Sequence, residues 1–122
     1  MPHTVLIADD SAVLRRALVE HLRSLDGVEV VAEARDGAEA VERAEALRPE
    51  IVLLDLQMPR MSGLEALRAI RQRLPDTRVV ILTNHADAVY RRTCLAAGAD
   101  HFLDKSSAFE SLGAVLNQVV AA

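Results

Sequence analysis

The sequence has 122 residues, a formal net charge of −4 at pH 7, 51% apolar residues and only 2% aromatic ones. Its length fits one domain over residues 1–122 with an aliphatic core, and its acidic balance argues against a nucleic-acid-binding surface or a basic membrane patch. Because a single cysteine excludes an internal disulfide, and because the sequence shows neither a signal peptide nor an apolar run of about 18 residues, we expect a cytoplasmic protein.

In the first half of the chain, short apolar runs alternate with segments of helical spacing. The predicted order is a strand over 4–9, a helix after Ser11 with Leu14, Leu18, Leu22 and Leu25 on one face, a strand over 28–33, a helix from Asp36-Gly37 with Ala40, Val41, Ala44 and Leu47 on one face, and a strand over 51–54. The first and third of these strands end in acidic residues, Asp9 and Asp55.

The second half continues the alternation after a loop over 57–63, which Pro59 and Gly63 mark. The predicted order is a helix with a Ser62–Glu65 capping box and Leu64, Leu67, Ile70 and Leu74 buried, a strand over 79–82, a helix from about Ala86 to Ala97 closed by Gly98, a strand over 101–103, and a last helix that Ser107 and Glu110 cap, with Leu112, Val115, Leu116 and Val119 inward. The fourth strand ends at Thr83, and the fifth ends just before Lys105.

Five strands that alternate with five helices predict an α/β fold with a parallel sheet and helices on both faces. The strands are continuous apolar runs, as expected for strands that are buried on both sides. In such sheets, ligands bind beyond the carboxyl ends of the strands. We therefore expect Asp9, Asp10, Asp55, Thr83 and Lys105 to meet at one edge of the sheet.

Lys105 is the one lysine in the chain, against thirteen arginines. A lone lysine after an apolar run indicates either a site that requires a compact charge on a flexible stem or a chance position on a solvated loop. Likewise, any single Asp, Ser or Thr at a strand end could cap the next helix. The whole set at one edge is hard to obtain from capping alone, and it favours a functional site.

Three carboxylates this close repel one another, and a divalent cation would resolve the repulsion. All-oxygen ligands favour Mg²⁺, with Mn²⁺ as an alternative, over Zn²⁺. A carboxylate beside such a cation, an ammonium and a hydroxyl is suited to phosphoryl transfer, because the positive groups neutralise charge on the transferred oxygens. The expected covalent product is an aspartyl phosphate.

The segment from Asp55 to Gly63, DLQMPRMSG, resembles the D-x-x-M-P-x-M-x-G signature of response-regulator receiver domains of bacterial two-component systems. Asp9-Asp10 upstream, Thr83 downstream and Phe102-x-x-Lys105 near the end complete the resemblance, which covers essentially the whole chain. The resemblance implies a flavodoxin-like (βα)5 fold with strand order 2-1-3-4-5. It also implies a phosphoacceptor switch rather than an enzyme.

The resemblance assigns a role to each matching residue of the site. Asp55 would be the phosphoacceptor, and Lys105 would pair with the phosphoryl group. Asp10 would bind Mg²⁺ directly, Asp9 would act mostly through a metal-bound water, and the backbone carbonyl of Gln57 would be a further ligand.

The resemblance also implies a conformational switch. The Thr83 hydroxyl would move to bond a phosphoryl oxygen, and Phe102 would turn inward into the space that Thr83 vacates. The readout surface would be the fourth helix, fifth strand and fifth helix, around Tyr90, Arg91 and Phe102. The phosphoryl donor would be a sensor histidine kinase or a histidine phosphotransfer protein. The signal would pass to a downstream protein or an output domain. The chain would be a monomer or a phosphorylation-dependent dimer.

Three departures from the family pattern involve four positions. Ser106 follows Lys105 where many receivers have proline, and a cis bond before a non-proline residue would cost roughly 3–4 kcal/mol. Asn84 stands where a smaller residue is usual, and His85 and Gln57 occupy positions that tune water access. These positions leave the lifetime of a phosphorylated form open.

Several alternatives remain from the sequence. A haloacid-dehalogenase-type phosphatase also uses an aspartate nucleophile and Mg²⁺, but it requires a second acid where this chain has Gln57. A phosphorylation-independent interaction module would share the fold. The chain is either a stand-alone receiver, which we prefer, or part of a longer DNA-binding regulator; we expect no nucleic-acid or membrane contact from this chain itself.

Overall fold

Strands and helices alternate along the chain, as the sequence predicts. The computed structural model describes residues 2–84 and 87–121. The elements are β1 (His3–Ala8), α1 (Ala12–Arg23), β2 (Val28–Ala34), α2 (Gly37–Leu47), β3 (Ile51–Asp55), α3 (Gly63–Arg73), β4 (Arg78–Thr83), α4 (Ala88–Ala96), β5 (His101–Asp104) and α5 (Ala108–Ala121). A single 3-10 turn, Lys105–Ser107, joins β5 to α5.

The five strands form one parallel sheet in the order β2-β1-β3-β4-β5. This order confirms the flavodoxin-like topology that the resemblance implies. Ala8 at the end of β1 lies opposite Leu54 in β3, and Thr83 at the end of β4 lies opposite Asp104 in β5. The carboxyl ends of the strands therefore meet at one edge, where the strand order reverses between β1 and β3.

Each strand contributes to two cores, because its successive side chains point to opposite faces of the sheet. On one face, alternate strand residues pack against α2, α3 and α4; the strand residues of this core include Leu6, Ala8, Val52, Leu54, Val79 and Ile81. On the other face, the intervening residues pack against α1 and α5; they include Val5, Ile7, Ile51, Leu53, Val80 and Leu82. All of these residues are buried, which agrees with the continuous apolar runs in the sequence.

The helices bury most of the stripes that the sequence predicts. In α5, the four predicted inward residues, Leu112, Val115, Leu116 and Val119, are all buried. The stripe of α2 ends earlier than predicted, because Leu47 is 50% exposed. Leu47 is the last residue of that helix, and Arg48 turns the chain away with a positive φ of 47° before Pro49. Within the described residues, no helix is both long and apolar enough to cross a membrane.

Side-chain caps begin the first three helices where the sequence predicts them. Ser11, Asp36 and Ser62 accept hydrogen bonds from the backbone N–H groups of Leu14, Glu39 and Glu65, respectively. Such bonds satisfy N–H groups that have no partner inside the helix.

The last two helices begin differently from the prediction. Asp87 caps α4, which starts at Ala88, whereas the predicted start near Ala86 lies outside the described residues. Before α5, Asp104 accepts a hydrogen bond from the Ser106 N–H, and the Ser107 hydroxyl donates to the carbonyl oxygen of Asp104. The expected Ser107 cap is therefore wrong, because Asp104 caps the 3-10 turn that leads into α5 and the Ser107 hydroxyl donates to a carbonyl oxygen instead.

Candidate functional site

Three aspartates that the sequence places at strand ends come together at the carboxyl edge of the sheet. Asp9 and Asp10 follow β1, and Asp55 ends the neighbouring β3. One carboxylate oxygen from each residue lies within 4.8 Å of the others. Asp9 and Asp55 are buried, whereas Asp10 is exposed, so the cluster opens to solvent on the Asp10 side.

Lys105 reaches this cluster from the turn after β5. Its Nζ lies 2.9 Å from Asp9 Oδ2 and 3.2 Å from Asp55 Oδ1, and its side chain is 13% exposed. Asp9 Oδ2 is buried, and the Lys105 ammonium is its ion-pair partner among the described residues. The cluster thus has one cation for three carboxylates.

Backbone groups fix the orientation of the two buried carboxylates. Asp9 Oδ1 accepts a hydrogen bond from the Ser11 N–H at 2.8 Å, and Asp55 Oδ1 accepts one from the Gln57 N–H at 3.2 Å. The Arg15 guanidinium donates to the carbonyl oxygen of Asp9 at 2.8 Å. The carboxylates are therefore held in place before any ligand arrives, as binding sites on rigid scaffolds require.

An open pocket of about 250 Å³ lies above Asp55. Its lining consists of Asp10, Asp55, Gln57, Thr83, Asn84 and Lys105. Thr83, at the end of β4, lines the pocket although it is only 1% exposed. A pocket of this size with polar walls can admit a small anionic group beside the Asp55 carboxylate.

Phe102, the other residue of the predicted switch, lies apart from the lining of this pocket. It is 4% exposed and belongs to the core that includes Ile81 and Cys94. Tyr90 on α4 is 41% exposed, and Arg91 beside it is exposed as well. The ring of Phe102 is therefore turned inward into the core.

Burial and charge shift the pKa values of the two facing groups. Burial, with the neighbouring Asp9 carboxylate as the second cause, raises the pKa of Asp55 from 3.8 to about 6, although the Lys105 ammonium opposes the shift. Burial by itself would lower the pKa of Lys105, but the Asp9 and Asp55 carboxylates outweigh it and hold the pKa above its ordinary value. At neutral pH the lysine is charged, and Asp55 is largely ionised and electrostatically unfavourable.

The loop after β3 folds back beneath the site. The Gly63 N–H donates to the carbonyl oxygen of Leu56 at 2.8 Å, and a Cβ atom at Gly63 would lie 2.1 Å from the carbonyl oxygen of Asp55. A side chain at this position would collide with the backbone of Asp55 itself. Gly63 therefore allows α3 to begin directly against the residue that carries the central carboxylate.

The structure also locates three of the four positions that depart from the family pattern, and Gln57 lines the pocket. Every peptide bond between described residues is trans, including the bond from Lys105 to Ser106. Asn84 is exposed and lines the pocket. His85 lies outside the described residues.

No sequence pattern predicts two arginine contacts around the site. Arg15 holds the Asp9 carbonyl, and Arg60 Nη2 lies 2.7 Å from Asp36 Oδ2. Arginine occurs throughout this chain, and its long side chain can reach several acids, so spacing alone does not identify the partner. The one sequence feature that points to this pair is Asp36, an acid at the predicted start of α2.

Comparison with known proteins gives consistent results. A family model described as "Response regulator receiver domain" matches residues 5–117. Protein-glutamate methylesterase/protein-glutamine glutaminase 4 of Myxococcus xanthus (strain DK1622) is 47% identical over 111 residues, which are 90% of this chain and 31% of that protein. The nitrate/nitrite response regulator protein NarL of Escherichia coli (strain K12) is 38% identical over 122 residues, which are 98% of this chain and 56% of that protein.

Solved structures show the same similarity. The crystal structure of a LuxR-family two-component response regulator from Aurantimonas sp. SI85-9A1 superposes with a TM-score of 0.94 at 30% identity, covering 99% of this chain and 86% of that one. The chain thus spans only part of the curated relatives that it matches, about a third of one and about half of the other.

Proposed function

The chain belongs to the response regulator receiver domain family, and from this membership and the geometry of the site we propose that Asp55 accepts a phosphoryl group in a Mg²⁺-dependent reaction. The observation that carries the proposal is the position of Lys105, whose ammonium faces both Asp9 and Asp55 at the open edge of the sheet. We take residues 1–122 as one receiver domain that acts as a switch. Catalytic activity in a longer protein that carried it would belong to another domain.

The donor set fits a hard divalent cation. Asp10 and Asp55 would hold Mg²⁺ through carboxylate oxygens, Asp9 mostly through a metal-bound water and Gln57 through its backbone carbonyl, and Mn²⁺ prefers the same oxygen ligands. The single ammonium beside three carboxylates leaves the cluster with excess negative charge, which supports this assignment because a divalent cation would neutralise that charge. When bound, the cation would neutralise charge on the phosphoryl oxygens.

The residues of the chain supply the rest of the chemistry. An ionised Asp55 oxygen attacks the phosphorus of a phosphohistidine, so that a P–O bond forms as the P–N bond breaks and the imidazole leaves. With a pKa of about 6, Asp55 is mostly ionised at neutral pH and can act as the nucleophile. Lys105 then pairs with the phosphoryl oxygens, and the Thr83 hydroxyl donates to one of them.

This capture of the phosphoryl group would drive the switch. Thr83 and Phe102 lie on neighbouring strands, β4 and β5, and the phosphoryl group draws Thr83 toward the pocket. The state with Phe102 turned inward is then favoured, and the position of this ring in the core is compatible with that state. The surface that changes would comprise α4, β5 and α5, around Tyr90 and Arg91.

The partners follow from the chemistry of the site. A sensor histidine kinase or a histidine phosphotransfer protein would donate the phosphoryl group, and a downstream protein or a covalently joined output domain would receive the signal. A cytoplasmic location suits both partners. The chain would act as a monomer or a phosphorylation-dependent dimer, without contacting nucleic acid itself.

Intact-mass analysis after incubation with acetyl phosphate and Mg²⁺ tests the proposal. We expect a gain of about 80 Da, as for one acyl phosphate, and none with EDTA. Asp55→Asn should abolish the gain, whereas Asp76→Asn, at an exposed position outside the pocket, should retain it. A gain that survives Asp55→Asn would refute the assignment, and no gain at all would favour a phosphorylation-independent interaction module.

A further inference from the structure

An ion pair outside the candidate phosphorylation site ties α2 to the loop that follows Asp55. Arg60 Nη2 lies 2.7 Å from Asp36 Oδ2, and the Asp36 side chain is only 5% exposed. The other oxygen, Asp36 Oδ1, accepts a hydrogen bond from the Glu39 N–H at 2.8 Å. One buried carboxylate therefore holds both the first turn of α2 and the loop between β3 and α3.

The backbone of this loop needs support at Arg60. Arg60 has a φ of 65°, in the left-handed region that residues with a side chain seldom adopt. Across it, the Met61 N–H donates to the Pro59 carbonyl oxygen at 2.7 Å, which closes a tight turn. The pairing of Arg60 with a buried carboxylate compensates for this unfavourable conformation, because its guanidinium can reach Asp36 when the turn is formed.

A second contact seats the loop on α2. A Cβ atom at Gly37 would lie 2.0 Å from the carbonyl oxygen of Met61, so the two backbones touch where α2 begins. The Glu39 N–H, followed by the Arg60 guanidinium, lowers the pKa of Asp36, and the carboxylate therefore stays charged at neutral pH. The helix start and the loop thus form one unit.

The other end of the loop enters the pocket. The Gln57 N–H donates to Asp55 Oδ1, and Gln57 lines the pocket above the carboxylate. The turn at residues 59–61 begins two residues after Gln57 in the same loop, so its position constrains the backbone of Gln57. We propose that Asp36 and Arg60 are positioning residues that hold the Gln57 carbonyl where a divalent cation can bind it. This inference rests on the proposed function, because it takes that carbonyl as a metal ligand.

Two substitutions separate the ion pair from the rest of the structure. Asp36→Asn removes the charge but keeps a good helix cap, and Arg60→Asn removes the guanidinium but tolerates a positive φ. Because residues that orient metal ligands typically contribute about 10–100-fold to metal affinity, we expect the Kd for Mg²⁺ to rise about tenfold in either variant. The double variant should be no weaker than either single one, since both remove the same contact.

A titration of the 15N-labelled protein with Mg²⁺ measures these affinities through the amide shifts around Asp55 and Gln57. The matched control is Arg35→Gln, which removes an arginine that pairs with Glu39 at the same helix start. We expect this variant to bind Mg²⁺ like the wild type. Arg60→Lys should restore much of the affinity, because it returns a cation to the Asp36 carboxylate.

A second readout distinguishes positioning from stability. With acetyl phosphate, the Mg²⁺ concentration at half-maximal rate should rise in Asp36→Asn and Arg60→Asn, while the rate at saturating Mg²⁺ stays near that of the wild type. A purely structural role would lower the melting temperature and leave the Mg²⁺ affinity unchanged, and that result would overturn the inference.

The outcomes also separate this inference from the proposed function. Equal Mg²⁺ affinities in the wild type and in a folded Arg60→Asn variant would overturn the inference alone. A wild type whose amides show no response to Mg²⁺ would overturn both. Should Asp36→Asn fail to fold, Arg60→Asn decides the result, because that side chain is 63% exposed and leaves the α2 cap intact.

Discussion

The ammonium of Lys105 lies 3.2 Å from the carboxylate of Asp55, so the last strand of the sheet delivers a cation to the end of its middle strand. The same ammonium faces Asp9 at 2.9 Å. This lysine thus balances part of the charge of the acidic cluster. Among the described residues, no other cation lies within ion-pair distance of the three carboxylates. Removing it tests how strongly the cluster depends on this charge.

Lys105→Met deletes the ammonium and keeps a flexible apolar stem. In the metal-free protein we expect the free energy of unfolding to fall by about 1–3 kcal/mol, because buried carboxylates lose their cation. Urea unfolding with EDTA and then with Mg²⁺ measures the effect, and Mg²⁺ should reduce the difference from the wild type. Arg73→Met, which breaks an exposed ion pair with Glu45, should cost less than about 0.5 kcal/mol. Equal losses of stability for Lys105→Met in both solutions would contradict this account.

The raised pKa of Asp55 predicts a dependence of stability on pH. Since its pKa is about 6 in the folded state and 3.8 as the ordinary value, the folded state binds this proton more tightly than the unfolded state. The contribution of the protonated group is complete below about pH 4 and is lost as the pH rises through about 6. Asp55→Asn should therefore stabilise the metal-free protein at pH 7, by up to about 3 kcal/mol, and gain little near pH 4.

Urea unfolding in EDTA between pH 4 and pH 7.5 checks this dependence. Asp10→Asn should stabilise the metal-free fold in the same direction but less, because Asp10 is exposed. Asp76→Asn serves as the control and should change the free energy of unfolding little at any pH. A constant difference between the wild type and Asp55→Asn across this range would show that Asp55 is not the titrating group.

Two glycines give opposite predictions for the same substitution. Gly63→Ala would place a methyl group 2.1 Å from the Asp55 carbonyl oxygen, and we expect a loss of about 3 kcal/mol or more. Gly113→Ala, inside α5, meets only the Leu25 side chain at 3.7 Å and should gain about 0.5–1 kcal/mol. Thermal and urea unfolding of both variants provide the comparison. A Gly63→Ala protein as stable as the wild type would mean that α3 does not start against Asp55.

The turn that carries Lys105 depends on Asp104. Asp104 Oδ1 accepts hydrogen bonds from both the backbone N–H and the hydroxyl of Ser106, each at 2.9 Å. Asp104→Ala should slow phosphorylation by acetyl phosphate several-fold, because the lysine is presented less precisely. Asp104→Asn keeps an acceptor for the N–H and should retain most of the rate. A mass-spectrometric time course measures both, and an Asp104→Ala variant as fast as the wild type would exclude this role.

The sequence was sufficient for the strands and for the residues at their ends. A fully buried strand requires a continuous apolar run, and parallel strands bring their carboxyl ends to one edge. The sequence alone therefore predicts that Asp9, Asp55, Thr83 and Lys105 lie together. The order of the strands depends on contacts between distant segments, so the local pattern does not predict it. The resemblance of the DLQMPRMSG segment to receiver domains predicts it instead. The sheet confirms that order.

Other features depend on choices that residue type does not determine. The positive φ of Arg48 leaves Leu47 outside the stripe of α2, although its spacing matches the buried residues. Similarly, both Asp104 and Ser107 can form a cap, and the chain uses the acid that comes first. The pair of Arg60 with Asp36 requires a left-handed turn at an arginine, which no propensity indicates.

The position of Lys105 late in the sequence has a consequence for the folding of the chain. Asp9 follows β1 and Asp55 ends the adjoining β3, both in the first half of the chain, whereas their shared cation follows β5. A folding intermediate that joins β1 to β3 without β5 brings two negative charges together uncompensated, and such a species is penalised. Docking of the segment that contains β5 and Lys105 removes that penalty. The same electrostatic arrangement therefore disfavours partly folded states and makes folding more cooperative.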